Sequence, residues 1–361
     1  MRHILSGLAV LALTTAAAHA GGIDRSSLPL SVLFADGSTA HLGFSSATPS
    51  VSGTYVPGLG GGTTGNMAES YRSLNFAVKM DLNDKLSAAL FMNQPYGADA
   101  NYTGGAYTGL EAHWTSNEIT AVLRYKLNDS FSVYGGVRNV TSKAEINIPP
   151  ALLGGASYVA TAASDSKVGY LIGAAFEKPE IALRAALTYQ SAITHDFATT
   201  ETFTPGGTLN SVTEITLPQS VTLDLQSGIA ANTLLFGSVK WSEWSKWHVD
   251  PALYHGAVGD EVTGFDNDVI TYQLGLGRKI NDNLSVFARL GYEASTGGVA
   301  SRLSPTDGMK SIGVGGSWTQ NNMKITGGIE YVTLGDAMDG SGTDFSGNTA
   351  LGVGVAVDFS F

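Results

Sequence analysis

Apolar and polar residues alternate with a period of two along most of the chain. From Leu74 to Leu82 every second residue is apolar, and the residues between them include Asn75, Lys79 and Asp81. Such alternation is typical of β-strands whose two faces meet different surroundings. It predicts fourteen strands, over residues 40–52, 71–82, 86–96, 111–127, 131–148, 166–177, 181–202, 212–230, 234–247, 264–280, 284–296, 308–319, 324–337 and 345–361.

The connections between these strands alternate between short and long. Three short turns begin with Asn-Asp, at Asn83, Asn128 and Asn281, and Asn and Asp tolerate the left-handed backbone that tight hairpins need. Long polar or Gly-rich loops lie between the turns, including 53–70, 97–110, 149–165 and 203–211. Tight turns at one end and long loops at the other are typical of outer-membrane barrels. The sequence therefore predicts an all-β fold, a 14-stranded antiparallel transmembrane β-barrel over residues 39–361.

The first residues have the form of an export signal. Arg2 and His3 precede an apolar stretch over residues 4–18, and Ala18-His19-Ala20 fits a signal-peptidase site. We predict a signal peptide over residues 1–20, cleaved near Ala20, and a destination in the outer membrane of a Gram-negative bacterium. The alternative is a short membrane anchor, which the roughly 15-residue apolar run and the missing stop-transfer charges disfavour.

Residues 21–38 lie between this signal and the first strand. They combine an apolar series with one adjacent charged pair, and we predict a hatch packed inside the barrel lumen; the alternative is a disordered periplasmic tail. The hatch residues singled out are Gly21, Gly22, Ile23, Asp24, Arg25 and Leu28.

Composition narrows the possible functions. Only 14% of residues are charged, Gly occurs 45 times, and the net charge is −11, which disfavours nucleic acid as a partner. The chain has no Cys, so disulfides, thiol catalysis and Cys–zinc sites are excluded. The seven His residues lack metal-ligand spacing, and Gly58 to Gly62 lacks the Lys of a phosphate-binding loop. We expect neither an enzyme nor a bound metal or cofactor.

Several short motifs occur in a specific order. They are Asn93-Gln94-Pro95-Tyr96-Gly97, Tyr189-Gln190-Ser191 with His195, Leu217-Pro218-Gln219-Ser220, Trp241-Ser242-Glu243-Trp244-Ser245-Lys246-Trp247, and Ser304-Pro305-Thr306-Asp307-Gly308 followed by Ser311. With these motifs the chain resembles the OMPP1/FadL/TodX family of outer-membrane transporters for long-chain fatty acids and other hydrophobic molecules. It departs from the family in lacking an Asn-Pro-Ala motif near the N-terminus and an Arg after Asp307.

The resemblance implies a transport route. Cargo would be captured by external loops, pass into a lumenal pocket, and leave sideways through the wall where the third strand kinks. The kink would lie at Asn93, Gln94, Pro95, Tyr96 and Gly97. Pro95 lacks an N–H and would interrupt the strand ladder there; the alternative is that Pro95 merely ends a strand.

Two further groups of side chains are candidates for cargo contact. Alternation places five basic residues on the lumenal face, where they could receive a carboxylate or brace the barrel through acidic partners: Arg124, Arg138, Arg184, Lys240 and Arg289. Aromatic and aliphatic residues of the long loops could form an exposed capture surface, although Trp residues could instead form an interfacial belt: Tyr102, Tyr107, Leu152, Leu153, Tyr158 and Trp247.

The sequence therefore predicts uptake of long-chain fatty acids or other hydrophobic molecules. A general diffusion porin and a surface adhesin or receptor are the alternatives. The expected partners are a hydrophobic small molecule, outer-membrane lipid, and the barrel-assembly machinery, which commonly reads a terminal aromatic such as Phe361. We expect a monomer and no nucleic-acid partner.

Overall fold

The computed structural model describes residues 22–361, so the predicted signal peptide, its cleavage site near Ala20, and Gly21 lie outside the described residues. Fourteen long strands form the wall, three of them in two halves. They are β1 (Thr39–Ser50), β2 (Tyr71–Asp81), β3 (Leu86–Asn93 and Gly97–Asn101), β4 (Glu111–Lys126), β5 (Phe131–Ile148), β6 (Ser157–Lys178), β7 (Leu183–Gln190 and Ile193–Thr204), β8 (Gly207–Leu217 and Ser220–Ala230), β9 (Thr233–Ser242), β10 (Val269–Lys279), β11 (Leu284–Glu293), β12 (Met309–Gln320), β13 (Met323–Leu334) and β14 (Thr349–Ser360).

Each strand pairs antiparallel with its neighbour in the chain, and the last strand returns to the first. β14 pairs with β1 along its whole length, from Thr39 opposite Ser360 to Ser50 opposite Thr349. The sheet is thus a closed cylinder without a free edge. The predicted 14-stranded antiparallel barrel is confirmed.

The faces of the cylinder are inverted relative to a water-soluble protein. Large apolar side chains such as Leu74, Val137 and Leu290 are exposed on the outside. The inside carries buried polar and charged groups, including Lys79 and Glu118. An apolar belt outside and a polar lumen suit a cylinder surrounded by lipid.

The tight turns owe their shape to asparagine. Asn83, Asn128 and Asn281 each accept two backbone N–H groups on the side-chain oxygen, from the residues two and three positions later, at 2.9–3.0 Å. Asn232 and Asn321 adopt left-handed backbone, with φ of 58° and 54°. The Asn-based turns are therefore where the sequence predicts them, but Asn83, Asn128 and Asn281 act through side-chain hydrogen bonds and do not adopt the left-handed backbone that was expected there.

Smaller elements occupy the opposite end and the lumen, except the 3-10 helix Pro179–Ile181, which forms the tight turn between β6 and β7. They are one α-helix (Ala252–Val258), the 3-10 helices Leu30–Phe34, Pro57–Leu59, Gly105–Tyr107, Pro150–Leu152, Pro179–Ile181 and Trp244–Lys246, and the short strands His248–Val249, Thr263–Gly264, Val299–Ala300, Ala337–Asp339 and Asp344–Phe345. Within residues 22–361, no helix has the length and apolarity needed to cross a membrane.

Two predicted loops are strand instead. The sequence predicts a loop over 149–165, but β6 already begins at Ser157; it predicts a loop over 203–211, but β7 and β8 are joined by a tight turn after Thr204. These extensions carry Thr, Ser and Ala on both faces and pair with one another beyond the apolar belt. Because they meet no lipid, their sequence lacks the apolar alternation by which the other strands are found.

Candidate ligand pocket and wall opening

The third strand is interrupted at Gln94-Pro95-Tyr96, where the sequence predicts a kink. β2 and β3 pair up to Phe76 opposite Met92, and pairing resumes beyond the kink with Ala68 opposite Ala100. Between these points, the described residues 70–75 and 93–98 form no backbone pairs with one another. One contact bridges the strands, from the Leu74 N–H to the Gln94 side-chain oxygen at 3.3 Å. We call this interruption the gap.

The N-terminal segment, residues 22–38, satisfies the backbone that the kink leaves unpaired. The Arg25 N–H donates to the Pro95 carbonyl at 2.8 Å, and the Gly97 N–H donates to the Ile23 carbonyl at 2.8 Å. The Ser26 hydroxyl donates to the Gln94 carbonyl at 2.6 Å. Unpaired backbone groups are costly in lipid, so these contacts let the kink exist within the wall.

Arg25 lies at the gap itself. Its guanidinium is ion-paired with Asp99 and stacks on the Tyr71 ring at 4.2 Å from the ring centroid. A Cβ added at Gly97 would lie 2.4 Å from Arg25 Nε, so only glycine leaves room for this side chain.

The rest of the N-terminal segment lies against the inner wall. Val32 and Leu33 are completely buried. Lys79 donates to the Ala35 carbonyl at 2.9 Å, and Arg124 donates to the Leu33 carbonyl at 2.9 Å. Leu28 packs beside the same apolar cluster. The segment thus crosses the lumen and is held to it by both apolar and polar contacts.

An apolar pocket of about 80 Å³ lies on the loop side of the N-terminal segment. Six small residues of the inner wall leave the space: Ala98, Ala100, Ala112, Ala144, Ala160 and Ala162. Larger side chains close it: Ile23, Trp114, Ile146, Ile215, Trp247, Val249, Val262, Phe265 and Leu303. Neither Lys nor Arg is among the described residues that line it.

A second space lies between this pocket and the gap. It has a volume of about 120 Å³ and shares Ile23, Ala98 and Leu303 with the apolar pocket. Its other side is lined by Arg25 and Tyr71, at the gap. Ile23 therefore lies between the apolar pocket and the interruption in the wall.

Below the N-terminal segment lies a polar cavity of about 200 Å³. Asp24 and the residues that follow form its roof, while Arg184, Asp224 and Lys240 are among its walls. The segment therefore separates an apolar space, which Ile23 faces, from a polar space that Asp24 faces.

The five basic residues predicted for the lumen all point inward, and the structure places none of them in the apolar pocket. Four are ion-paired within the lumen: Arg124 with Glu177, Arg138 with Glu118, Lys240 with Asp24, and Arg289 with Glu330. Arg184 stacks on Phe34 and lines the polar cavity.

The loop residues predicted to form an exposed surface are not exposed, which corrects that expectation. Tyr102, Tyr107 and Tyr158 are buried in a cluster under the loops, and Leu152 and Leu153 are half-buried against it. Trp247 is buried in the lumen beside Trp114, with ring centroids 6.0 Å apart. Apolar side chains on long loops bury one another when the loops fold together.

The sequence reasoning missed the pocket because its defining residues are alanines. Ala98 and Ala100 on β3, and Ala160 and Ala162 on β6, stand at every second position and point inward. Repeated Ala on the inner face of neighbouring strands was the available signal, since it leaves room that a larger residue would fill.

Within residues 22–361, one group of side chains has the spacing for a metal ion. The ligand atoms of Glu69, Asp99 and His113 lie within 4.8 Å of one another. Asp99 is already ion-paired with Arg25, and its other oxygen is 2.9 Å from His113 Nδ1.

Comparisons with known proteins identify the family. A sequence model for the outer membrane protein transport protein family (OMPP1/FadL/TodX) matches residues 6–347. The chain belongs to this family. FadL/TodX members are outer-membrane transporters of hydrophobic compounds rather than enzymes, and the resemblance predicted from the motifs is confirmed.

Solved structures of the FadL/TodX type share the fold. A FadL homologue of Pseudomonas aeruginosa is 13% identical with a TM-score of 0.74, covering 95% of this chain and 96% of that chain. The toluene transporter TodX of Pseudomonas putida is 13% identical with a TM-score of 0.66, covering 96% and 98%. The toluene transporter TbuX of Ralstonia pickettii is 12% identical with a TM-score of 0.61, covering 99% of each. A search among curated proteins finds no match.

Proposed function

We propose that the protein takes up small neutral hydrophobic molecules, such as monoaromatic hydrocarbons, through the apolar pocket, and releases them sideways through the gap into the membrane. The observation that carries the proposal is the chemistry of the pocket. Its walls are mainly alanine, aliphatic and aromatic; His113, Glu145 and a few Thr and Ser residues stand among them, and it lacks the Lys or Arg that would pair with a fatty-acid carboxylate.

The aromatic side chains of the pocket support a cargo with π electrons or a hydroxyl. The indole N–H groups of Trp114 and Trp247 are buried and have no acceptor among the described residues. An N–H without a partner is unfavourable in an apolar site, and the face of an aromatic ring is a weak acceptor for it. Toluene transporters among the structural neighbours make the same class of cargo a reasonable choice.

The size of the pocket links binding to movement of the N-terminal segment. A cavity that holds benzene in a protein interior measures about 150 Å³, whereas the pocket measures about 80 Å³. A ring therefore displaces one lining side chain, and Ile23 is the lining residue that does not belong to the barrel wall or its loops. Displacing Ile23 would join the pocket to the space at the gap.

Release through the gap follows from solubility. A hydrophobic molecule gains about 0.8 kcal/mol for each CH2 removed from water, and this gain is kept if the molecule passes directly into lipid. On the outside, the gap is flanked by Leu74, which is 58% exposed, and Met92, which is 44% exposed. The opening would therefore face the hydrocarbon part of the membrane.

Filling the pocket tests the cargo site. We expect Ala112→Phe to lower the uptake rate of radiolabelled toluene at least tenfold, in a Gram-negative host without transporters of this family. Ala121→Phe, on the lipid-facing side of the same strand, is the matched control and should keep the wild-type rate. Oleate uptake is measured in parallel. Faster uptake of oleate than of toluene by the wild type would contradict a small neutral cargo.

Closing the gap tests the exit. The chain has no Cys, so a Leu74→Cys/Gln94→Cys pair can be joined across the gap with a short bis-methanethiosulfonate reagent, which forms reducible disulfide bonds with both thiols. We expect the cross-linked protein to bind toluene but to release it at least fivefold more slowly into cells, and reduction should restore the rate. Unchanged uptake after complete cross-linking would exclude the gap as the exit.

A further inference from the structure

The wall is interrupted a second time, between β6 and β7, and we call this interruption the seam. β6 and β7 pair from Leu171 opposite Gln190 to the tight turn, and again from Ala162 opposite Thr199 to the far end. Nine positions separate these pairings on each strand, so the strands remain in register. No backbone pairs join the described residues 163–169 and 192–198, although β6 stays paired with β5 and β7 with β8.

The seam has a local cause in the chain. β6 carries a bulge beside Ala163, and along the chain its inward-facing positions change there from even to odd residue numbers. β7 makes the corresponding change lower down, at Ser191-Ala192. Between these heights the facing residues point to opposite sides of the wall; half-buried Asp165, for example, faces exposed Asp196. Strands out of phase by one residue cannot form a regular ladder.

β8 is bent at the same height as β7. These two strands nevertheless stay paired with each other. The break at Pro218-Gln219 is opposite the break at Ser191-Ala192, with Leu217 still paired to Ile193 and Ser220 to Gln190. Those two strands change phase together and stay joined. The seam therefore results from the different heights of the bulges and not from the bend itself.

Side chains alone hold the seam closed. Asp165 lies 2.9 Å from His195 Nδ1, and Lys167 lies 2.5 Å from Asp196. Lys167 is 33% exposed and Asp196 is 51% exposed, and ion pairs as exposed as this one contribute little to stability. Opening the seam would break no ladder hydrogen bond between β6 and β7, whereas opening any regular pair of strands would break several.

The inner side of the seam leads to the apolar pocket. Ala162 and Thr199, the first paired residues beyond it, both line that pocket. Phe197 stacks on His195 at 5.0 Å between ring centroids, and it contacts the pocket residue Trp114 at 5.5 Å. His195 Nε2 is buried without a hydrogen-bond partner among the described residues, so no hydrogen bond through this nitrogen holds the ring in place.

We propose that the seam is a second lateral port, through which a neutral hydrophobic molecule enters the apolar pocket from the outer boundary of the membrane. This proposal rests on the proposed function, in which the pocket holds such a molecule. It gives the transporter two openings in the wall, with the seam as the inlet and the gap as the outlet.

The surroundings of the seam favour the inlet role. The outward-facing Val168, at the lower end of the seam, is 69% exposed and Tyr170 just below the seam is 50% exposed, which marks the top of the apolar belt. Higher in the seam the outward residues include the polar Ser166, Thr194 and Asp196. The seam therefore lies where the hydrocarbon layer meets the polar surface, which is the level that a hydrophobic molecule arriving from outside crosses first as it leaves water.

A reversible cross-link tests the port. Lys167→Cys/Asp196→Cys is introduced into the Cys-free chain and joined with a short bis-methanethiosulfonate reagent. The matched control is Ala174→Cys/Leu187→Cys, a lipid-facing pair on the same strands where the ladder is already closed. Heat-modifiable migration on gels verifies that each barrel is folded.

We expect cross-linking of the seam to lower radiolabelled toluene uptake at least fivefold, with recovery on reduction, while the control pair stays within 1.5-fold of wild type. In purified protein, stopped-flow tryptophan fluorescence should show slower toluene association with an unchanged dissociation constant. Uptake and association that do not change after complete cross-linking would overturn the port.

The two proposals fail in different ways. If the seam cross-link has no effect but Ala112→Phe and the gap cross-link block uptake, the seam proposal is wrong and the pocket-and-gap route stands. If Ala112→Phe also leaves uptake unchanged, the pocket does not carry cargo and both proposals are wrong.

Discussion

A single carboxylate, Asp339, joins three of the long loops. Its side chain accepts hydrogen bonds from the Tyr107 hydroxyl and from the N–H groups of Ser341 and Thr343, the latter two at 2.9 and 3.0 Å. Arg302 lies 3.4 Å away on a third loop. Burial by itself raises the pKa of Asp339, but the hydrogen bonds from Tyr107, Ser341 and Thr343 outweigh it and hold the pKa below its usual value.

The lowered pKa of Asp339 predicts a pH dependence of loop closure. Because the folded pKa lies below the unfolded value, the stabilisation is complete above about pH 4 and is lost as the pH falls through the folded pKa. We expect hydrogen exchange of residues 300–310 and 337–345, corrected for intrinsic rates, to rise only below that pH. In Asp339→Asn the exchange at neutral pH should be roughly tenfold faster, for a loss of about 1.5 kcal/mol, and this pH step should disappear.

Asp344→Asn is the control for this experiment. Its exposed carboxylate, on the same loop, accepts one bond from Ser346 at 3.2 Å, so its replacement should leave exchange near wild type. Equal acceleration in both variants would mean that general loss of loop charge, not the Asp339 contacts, loosens the loops.

At the scale of single residues, the sequence predicted which way a side chain points better than which residue it contacts. Period-two alternation correctly predicted that Arg124, Arg138 and Lys240 point into the lumen. In a strand, the face on which a side chain lies follows from its position alone. Their partners come from distant parts of the chain; Lys240 is paired with Asp24, more than 200 positions earlier. Such pairing depends on barrel closure, which no local pattern encodes.

Among the structural elements, tight turns and strands within the apolar belt could be predicted, while interruptions in strands could be predicted only in part. Asn83 and Pro95 act within a few residues, through a side-chain hydrogen bond and a missing N–H, and so leave a local signal. The seam leaves no such signal. It arises because β6 and β7 change phase at different heights, and the effect of each bulge depends on the strand beside it.

The gap and the seam also differ in which groups form hydrogen bonds with their unpaired backbone. At the gap, Ile23 and Arg25 supply backbone partners to the kinked strand. At the seam, Ser191 and Tyr170 exchange bonds only at the lower end, with the Ser191 N–H donating to the Tyr170 carbonyl at 2.9 Å. A wall within hydrocarbon needs the first arrangement, whereas a wall at the polar boundary can rely on water for the remainder.

For the whole molecule, we expect the N-terminal segment to decide whether the cylinder conducts ions. Residues 22–38 cross the lumen between the apolar pocket and the polar cavity, and Val32 and Leu33 are buried against the wall. The strand ladder closes without this segment, through β1 and β14. The barrel should therefore form without it, while the lumen should not stay blocked.

Deleting residues 22–36 tests whether the barrel wall forms independently of the N-terminal segment that fills its lumen. We expect the truncated protein to reach the outer membrane as a heat-modifiable barrel, because the strand-to-strand pairs of the wall do not involve the deleted residues and only the kink at Pro95 loses the partners that Ile23 and Arg25 supply. In planar lipid bilayers the wild type should show little ion conductance, and the deletion should raise it by roughly tenfold, since an unfilled barrel of this strand number leaves an aqueous path. Toluene uptake should lose its saturation, because Ile23 no longer closes the pocket.

Ser27→Ala, which changes an exposed residue of the same segment, should keep the low conductance and the saturable uptake of the wild type. High conductance in the wild type would instead point to a general diffusion porin. A truncated barrel that inserts but conducts no better than wild type would show that the loops, whose Tyr102, Tyr107 and Tyr158 form a buried cluster over the lumen, block the cylinder without help from the N-terminal segment.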